Sequence, residues 1–270
     1  MKRPAFLSIL LAAVMLFSAC DHTASQTDSF SDTEDVTEST AAETEIDEDS
    51  IYVNPKYSVK GGIVAPGTSL SVTLPENAPE GAYITFTLDG NEPGKSSDRW
   101  EGDITLDGEC VIVRTACFSS DGVQLGRIKT NTYFTDSRYS TYVVSLVTDE
   151  DNLYGKGGII DNYSLSGKEG ERPCHVEIFT SDGTEVISQD AGIRIFGGSS
   201  RSLSQKSFRL VAREDGYYDE VKYNGSGSFD APLFDGRTVE AGENKGSLLE
   251  RYDRFILRNG GNDSLSLIHI

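Results

Sequence analysis

The sequence predicts a mainly β protein with two folded units behind an N-terminal leader. Apolar residues alternate with polar ones in short runs such as Leu70 to Leu74 and Ile84 to Leu88. Glycine and proline interrupt these runs, and no apolar pattern of helical period lasts long enough to predict a long helix. We therefore expect a small antiparallel β-sandwich over residues 51–136 and a second, sheet-containing unit over residues 140–270.

Residues 1–19 are typical of an export signal. Two basic residues precede an almost unbroken apolar run from Leu7 to Phe17. This run is shorter than the ~20 residues that cross a bilayer as a helix. Small residues then precede Cys20, and the sequence Leu-Phe-Ser-Ala-Cys at 16–20 resembles the lipobox of bacterial lipoproteins, with phenylalanine at the usual leucine position.

The resemblance to a lipobox implies lipid attachment. Cleavage before Cys20 would free its amine, and its thiol would carry a diacylglycerol. We therefore expect a lipid-anchored protein on the extracellular face of a bacterial membrane. The alternative is an ordinary secretory signal followed by an incidental cysteine.

Residues 20–50 should form a disordered acidic tether. From Asp21 onward they are rich in Asp, Glu, Ser and Thr and contain no Lys or Arg, so they lack the apolar mass that offsets chain entropy. Such a self-repelling coil spans roughly 30 Å and would hold the folded units away from the membrane. The formal net charge of −19 is partly a property of this tether. It argues against nucleic acid as a partner, because phosphate backbones require clustered Lys and Arg.

Three cysteines remain besides Cys20, namely Cys110, Cys117 and Cys174. An odd number leaves at least one thiol outside any disulfide. Cys110 and Cys117 lie in one predicted strand, ~23 Å apart at about 3.3 Å per residue, so a straight strand prevents them from bridging. The pairing stays open from the sequence. No CxxC spacing or histidine cluster suggests a zinc site.

The first unit carries a recognisable series of segments. They are Tyr83–Gly90, Pro93, Ile104–Leu106 and Thr132–Tyr133. Over most of residues 55–134 the series resembles the chitobiase/β-hexosaminidase C-terminal-type β-sandwich. In that family the module accompanies other domains, and the Asp-Gly turn at 89–90 reads as structural. Trp100 is a candidate platform for stacking a sugar ring, and the alternative for it is packing.

The second unit begins with Tyr142 to Val147, a continuous apolar run typical of a strand buried on both faces. Ser181-Asp182-Gly183-Thr184 then predicts a hairpin. Further strands are expected at Val176–Phe179, Glu185–Ile187, Ile193–Phe196, Gln205–Ala212 and Phe255–Leu257. The polar, glycine-rich stretch Arg213–Gly246 should be a long surface excursion.

The turn between two of these strands could bind an anion. Gly197 and Gly198 allow backbone N–H groups to approach a ligand closely, and the two following serines add hydroxyl donors. Lys206 and Arg209, in the returning strand, bring positive charge that suits phosphate oxygens. The segment is not a Walker A motif, because the Gly-Lys-Ser/Thr ending is absent. The alternative is a hairpin whose basic residues discourage edge pairing.

Several spaced blocks of the second unit carry a resemblance. They are Val143–Asp149, Glu171–Pro173 with His175–Glu177, Gln189–Gly192, Gly197–Arg201 with Gln205–Ser207, and Phe255–Asp263. Together, and in the right order over about 120 residues, they resemble the spore-coat CotH kinase family. The resemblance implies an atypical protein-kinase-like α+β fold, ATP with a divalent metal (Mg or Mn) as cofactors, and phosphate transfer to Ser or Thr of exported proteins.

The same resemblance implies site residues. Six would bind the nucleotide: Gly197, Gly198, Ser199, Arg201, Lys206 and Arg209. The glycines and the serine would cover the phosphates, the lysine would pair with them, and the arginines would support that charge. Three more would belong to the start of the shared core: Asn259, Asn262 and Asp263. Neither catalytic nor metal-binding residues can be assigned.

Members of that family continue well past the block at 259–263, and the acidic residues that hold metal and assist the acceptor hydroxyl lie in that continuation. Ser264 to Ile270 does not resemble it. We therefore expect the N-terminal part of a kinase-like domain, from a truncated or wrongly ended reading frame. Phosphoryl transfer depends on metal-bridged phosphates and an oriented nucleophile, so this fragment should be inactive as a kinase. The alternative function is a non-enzymatic cell-surface lipoprotein that binds polysaccharide or a protein partner.

Cys20→Ala should release the protein from membranes or block its processing, because the thiol that accepts the diacylglycerol is removed. Membrane fractionation together with metabolic labelling by a fatty acid measures both effects. Cys110→Ala, a cysteine far from the leader, is the matched control and should stay membrane-bound. A cleaved Cys20→Ala protein that is retained in membranes would contradict lipid anchoring.

Overall fold

A computed structural model describes residues 52–135, 139–234, 236–240, 242 and 245–259. The predicted signal, the acidic tether with Cys20, and two predicted core residues, Asn262 and Asp263, lie outside these residues. The described part is mainly β, as predicted. None of its helices has the length and apolar character needed to cross a membrane.

Nine strands lie between residues 52 and 135. They are β1 Lys56–Tyr57, β2 Gly62–Ile63, β3 Thr68–Leu70, β4 Val72–Thr73, β5 Tyr83–Thr87, β6 Asp98–Arg99, β7 Ile104–Leu106, β8 Cys110–Phe118 and β9 Lys129–Phe134. A five-stranded sheet has the order β2-β9-β8-β5-β6, and two smaller sheets pair β3 with β7 and β1 with β4. Pairing is antiparallel except between β2 and β9, which run parallel. The predicted antiparallel arrangement is therefore wrong at this one edge strand.

The core of this first unit lies where its three sheets meet. The buried cluster takes side chains from all of them: Val53, Leu70, Val72, Ile84, Leu106, Val113, Cys117 and Tyr133. Alternation of apolar and polar residues places these side chains on the inward face of each strand. Layers that share one apolar core are the packing expected of a sandwich.

The second unit is built on one larger sheet. Its elements are β10 Val143–Val147, α1 Glu150–Leu153, β11 Glu171–Phe179, β12 Glu185–Phe196, a 3₁₀-helix Ser199–Ser202, β13 Ser207–Ala212, β14 Phe229–Asp230, β15 Arg251–Tyr252 and β16 Arg254–Leu257. The sheet is antiparallel with the order β10-β11-β12-β13-β16, and β14 pairs with β15. The predicted hairpin at 181–184 is confirmed, and Gly183 supplies its positive φ of 87°.

Strand β10 is covered on both faces, as its apolar sequence predicted, although it is an edge strand. Val144 and Leu146 pack against the core of the second unit. Val143 and Val147 face the other way and are also buried, and Val143 packs in a cluster with Phe134 of the first unit. The first unit thus supplies the second cover, which a parallel sheet would obtain from helices.

The prediction that Arg213–Gly246 is a surface excursion is wrong in part. Phe229, Ala231 and Leu233 of this stretch are buried in the core of the second unit. These apolar residues are too few and too irregularly spaced to show a strand or helix period, which is why the sequence did not reveal them. The segment around residues 215–224 contacts the first unit instead of solvent alone.

The five-stranded sheet of the second unit has one apolar and one charged face. Cys174, Val176 and Ile178 of β11 point into the apolar core. Alternate residues of the same strands point the other way, and several of these are buried and ionisable. They include Glu171, His175, Glu177 and Asp190. We call this surface the charged face of the sheet.

The first unit covers the charged face around Glu177, which is 0% exposed. The Thr132 backbone N–H donates to Glu177 Oε1 over 3.1 Å, and the Thr132 hydroxyl donates to the other carboxyl oxygen. The Ser145 hydroxyl lies 2.7 Å from that of Thr132. Beside them the rings of Phe134 and Phe179 meet edge to face at 5.7 Å. Burial raises the pKa of Glu177 above its ordinary value.

Arg127 makes the second set of contacts between the units. Its side chain is buried, and its guanidinium donates two hydrogen bonds to Asp215, at 2.9 and 2.8 Å, and others to the carbonyls of Glu220 and Tyr223. The guanidinium also stacks on Tyr52, 4.2 Å from the ring centre. A desolvated cation requires close anionic or carbonyl partners, and Arg127 finds them in the second unit.

Glu177→Gln should make the stability of the intact chain less sensitive to rising pH. Burial raises the folded-state pKa of Glu177 above 4.5, so folding favours its protonated form. The resulting stabilisation is fully present below the unfolded-state pKa and is lost as pH rises through the folded-state pKa. Glutamine keeps an acceptor for the Thr132 N–H and a donor for its hydroxyl without ionising. Urea unfolding between pH 4 and 8 measures the difference.

Glu109→Gln is the matched control for that experiment, because Glu109 is exposed on the first unit. We expect its pH profile to follow the wild type, while the Glu177→Gln curve gains stability relative to the wild type toward high pH. Parallel profiles for the wild type and Glu177→Gln would show that the buried carboxyl does not destabilise the ionised protein.

Candidate anion-binding site

A pocket of about 240 Å³ opens where β12 ends and β13 begins. Its walls include three arginines, one aromatic ring and three glycines: Arg194, Arg201, Arg209, Phe196, Gly167, Gly170 and Gly197. Three of the six predicted nucleotide-binding residues, Gly197, Arg201 and Arg209, line this pocket. Ser199, Gly198 and Lys206 do not line it.

Gly197 forms the rim of the pocket in a conformation that requires glycine. Its φ is 125°, and a Cβ at this position would collide with the Ser200 hydroxyl. Gly198, with φ −95°, has no such restriction, and open space surrounds its missing side chain. The chain then enters the 3₁₀-helix that starts at Ser199. One glycine of the pair is thus required by the backbone, and the second leaves the rim uncovered.

Arg201 and Lys206 are engaged inside the protein. The Arg201 guanidinium donates to the carbonyls of Ile195, at 2.9 Å, and Tyr163, at 2.7 Å, and also to that of Leu165. The Lys206 ammonium donates to the Arg201 carbonyl over 2.6 Å and lies 4.4 Å from the Tyr163 ring centre. Both cations therefore fix the turn and the preceding loop, and Lys206 is not positioned to pair with phosphates as predicted.

Arg209 differs from the other two pocket arginines, because among the described residues it has no carboxylate or carbonyl partner. It lies on β13 directly opposite Arg194 of β12, and its guanidinium stacks 4.7 Å from the Phe196 ring centre. Its Nε is buried and has no hydrogen-bond partner in the described residues. Burial, followed by the charges of Arg254, Arg194 and Arg201, lowers the pKa of Arg209. An anion beside it would relieve that repulsion.

Glu171 neutralises the neighbouring part of the wall, a role that the sequence analysis did not assign. Arg194 donates to its carboxylate, Arg213 does so at 2.8 and 2.6 Å, and the Tyr218 hydroxyl at 2.7 Å. Burial alone would raise the pKa of Glu171, but these hydrogen bonds outweigh it and hold the pKa below its ordinary value. Glu171 contacts Arg194 and Arg213 but not Arg209, whose charge has no carboxylate partner among the described residues.

Asn259 is the one predicted core residue within the described part. Its backbone N–H donates to the Ser207 hydroxyl over 3.0 Å, and its side-chain amide donates to the Gln205 carbonyl over 2.7 Å. These bonds tie the chain after β16 to the start of β13. The residue therefore supports the strand that carries Arg209.

The three cysteines and the tryptophan that the sequence singled out pack against apolar side chains. Cys110, Cys117 and Cys174 are all free thiols, and burial raises the pKa of Cys110 to about 11 and of Cys117 to about 12. They therefore stay protonated at neutral pH. Trp100 packs on the core of the first unit, with its ring 5.1 Å from that of Phe86, so its indole is a packing residue there.

The residues present do not fit a metal ion. No carboxylate lines the pocket, and the described part of the chain brings no three His, Cys, Asp or Glu side chains together in a way that could hold one. No protein-family model, curated protein or solved structure matches the chain. Three arginines and no carboxylate line the pocket, and this lining favours an anion as its ligand.

Proposed function

We propose that this chain is the phosphate-binding part of a surface-anchored, CotH-like protein kinase, and that the phosphates of ATP occupy the arginine pocket. The observation that carries the proposal is Arg209, a half-buried cation whose Nε has no partner in the described residues and which faces a pocket rimmed by Gly197. A buried donor without a partner costs about 1–3 kcal/mol, which a bound oxyanion would recover.

The arrangement suits phosphate better than a neutral ligand. Arg209 stands among Arg194, Arg201 and Arg254, and no carboxylate lines the pocket to compensate it. A guanidinium presents two parallel N–H donors that match two oxygens of one phosphate. Gly197 contributes only backbone to the pocket, and the Ser200 hydroxyl lies where a Cβ of this residue would be.

The size of the pocket limits which part of a nucleotide it receives. Pockets that enclose drug-sized ligands measure about 300–1,000 Å³, whereas this one measures about 240 Å³. It therefore takes the phosphate end, and the ribose and base lie outside it. The acceptor would be Ser or Thr of an exported protein, since lipid on Cys20 would hold the chain on the extracellular face. No step is assigned to a metal ion, because the described residues do not bring three His, Cys, Asp or Glu side chains together in a way that could hold one.

The alternative of polysaccharide binding loses its candidate platform. Trp100 packs against Phe86 and the core of the first unit. Sugar-binding platforms present an aromatic face to solvent, and the role of Trp100 in the core favours packing instead.

Arg209→Gln should weaken binding of ATP and of inorganic tripolyphosphate to the full chain by about ten- to a hundredfold. A charge-assisted hydrogen bond contributes about 1.5–3 kcal/mol, which corresponds to that range. Isothermal titration calorimetry at fixed ionic strength measures it. The matched control is Arg254→Gln, a nearby exposed arginine that pairs with Asp253, and it should change the affinity less than about threefold.

The variant Lys206→Ala distinguishes the contribution of Lys206 to phosphate binding from that of Arg209. Because its ammonium is bound to the Arg201 carbonyl, we expect this variant to lower thermal stability while tripolyphosphate affinity falls less than in Arg209→Gln. Equal affinities of the wild type and Arg209→Gln would refute the pocket as a phosphate site. A larger loss in Lys206→Ala than in Arg209→Gln, at unchanged stability, would restore the lysine as the phosphate ligand.

A further inference from the structure

Three side chains of the charged face lie in the order of a serine–histidine–aspartate relay. His175 Nδ1 is 2.8 Å from Asp190 Oδ1, and His175 Nε2 is 3.4 Å from the Ser188 hydroxyl oxygen. His175 and Asp190 are buried, at 8% and 6% exposure, and Ser188 is exposed. The imidazole thus connects a buried carboxylate to a hydroxyl that solvent can reach.

The strand register produces this order. His175 of β11 pairs directly with Asp190 of β12, and Ser188 lies two residues earlier in β12 on the same face. The second oxygen of Asp190 accepts the backbone N–H of Asn224 over 2.7 Å, which fixes the carboxylate. Held in this way, Asp190 accepts a hydrogen bond from His175 Nδ1–H, and the Nε2 lone pair is directed toward Ser188.

We propose that Ser188 is an activated nucleophile that takes an acyl group from an ester, with His175 as the general base and Asp190 as the residue that positions it. The Ser188 oxygen forms a bond to the ester carbonyl carbon while its proton passes to His175 Nε2. The carbonyl–alkoxy bond then breaks, and the leaving alkoxide takes that proton. Water reverses the sequence and releases the acid. This activity is separate from phosphate binding and does not depend on it.

The Nε2 to hydroxyl distance is longer than a strong hydrogen bond, and such contacts in ligand-free sites tighten when substrate binds.

Serine activation of this kind requires the neutral imidazole. Among the described residues, the charged groups around His175 are Asp190 and Glu185 of β12, Glu177 of β11 and Arg114 of β8, with Lys60 beside Glu185. Burial lowers the pKa of His175, but the hydrogen bond and charge of Asp190 outweigh it, so the pKa lies above 6.5. Nucleophilic reactivity should therefore rise with pH through that pKa.

The test uses the full chain and a biotinylated fluorophosphonate, which phosphonylates activated serines and releases fluoride. Peptide mass spectrometry should place the label on Ser188, and Ser188→Ala should remove it. That exposed substitution leaves no cavity. Ser181→Ala, an exposed serine in the nearby hairpin, is the matched control and should label at the wild-type rate. Hydrolysis of p-nitrophenyl acetate should follow the same pattern.

His175→Gln should slow labelling by about a hundredfold, the contribution typical of a general base, and the wild-type rate should fall as pH drops below the His175 pKa. Saturating tripolyphosphate should leave the labelling rate of the wild type unchanged, which keeps the result distinct from that of the phosphate experiment. Absence of label on Ser188 in the folded wild type would overturn the proposal. A wild-type labelling rate that does not depend on pH would also overturn the proposal. This measurement does not require a substitution of the buried His175.

Discussion

The charged face of the second sheet is the constraint on which the rest of the structure depends. Burying an unpaired carboxylate or guanidinium costs several kcal/mol, so each such group requires a partner within hydrogen-bond distance. Glu177 finds Thr132 of the first unit, Glu171 finds Arg194 and Arg213, and His175 finds Asp190. The first unit and the segment after β13 therefore act as the second layer over a sheet whose other face is apolar.

The first unit and the segment after β13 leave two parts of the charged face open to solvent, and both candidate sites lie there. At one end of the sheet, Glu171 compensates Arg194 and leaves Arg209 facing a pocket. Nearer the contact with the first unit, Ser188 is exposed beside the buried pair of His175 and Asp190. Both features come from the strand register, which places Arg209 opposite Arg194 and places Ser188 on the same face as Asp190, two residues away.

The sequence could predict the strands whose apolar residues alternate or run continuously, and the hairpin at 181–184, because these patterns are local. It could not predict that the Lys206 ammonium binds the Arg201 carbonyl beside the Tyr163 ring, because these partners come together only in the folded turn. Glu171 and Ser188 were missed for the same reason. Their partners are Arg213, 42 residues away, and His175, 13 residues away, and only the strand register brings them together.

If the charged face joins the two units into one cooperative body, unfolding observed with one probe in each unit should show a single transition. Trp100 is the sole tryptophan and packs in the first unit, while Cys174 is buried in the core of the second. Urea unfolding should therefore be followed by Trp100 fluorescence and by alkylation of Cys174, read from its peptide mass. We expect coincident midpoints, as in a single cooperative transition. Two separated transitions, with Cys174 reacting at a urea concentration where Trp100 is still folded or the reverse, would contradict it.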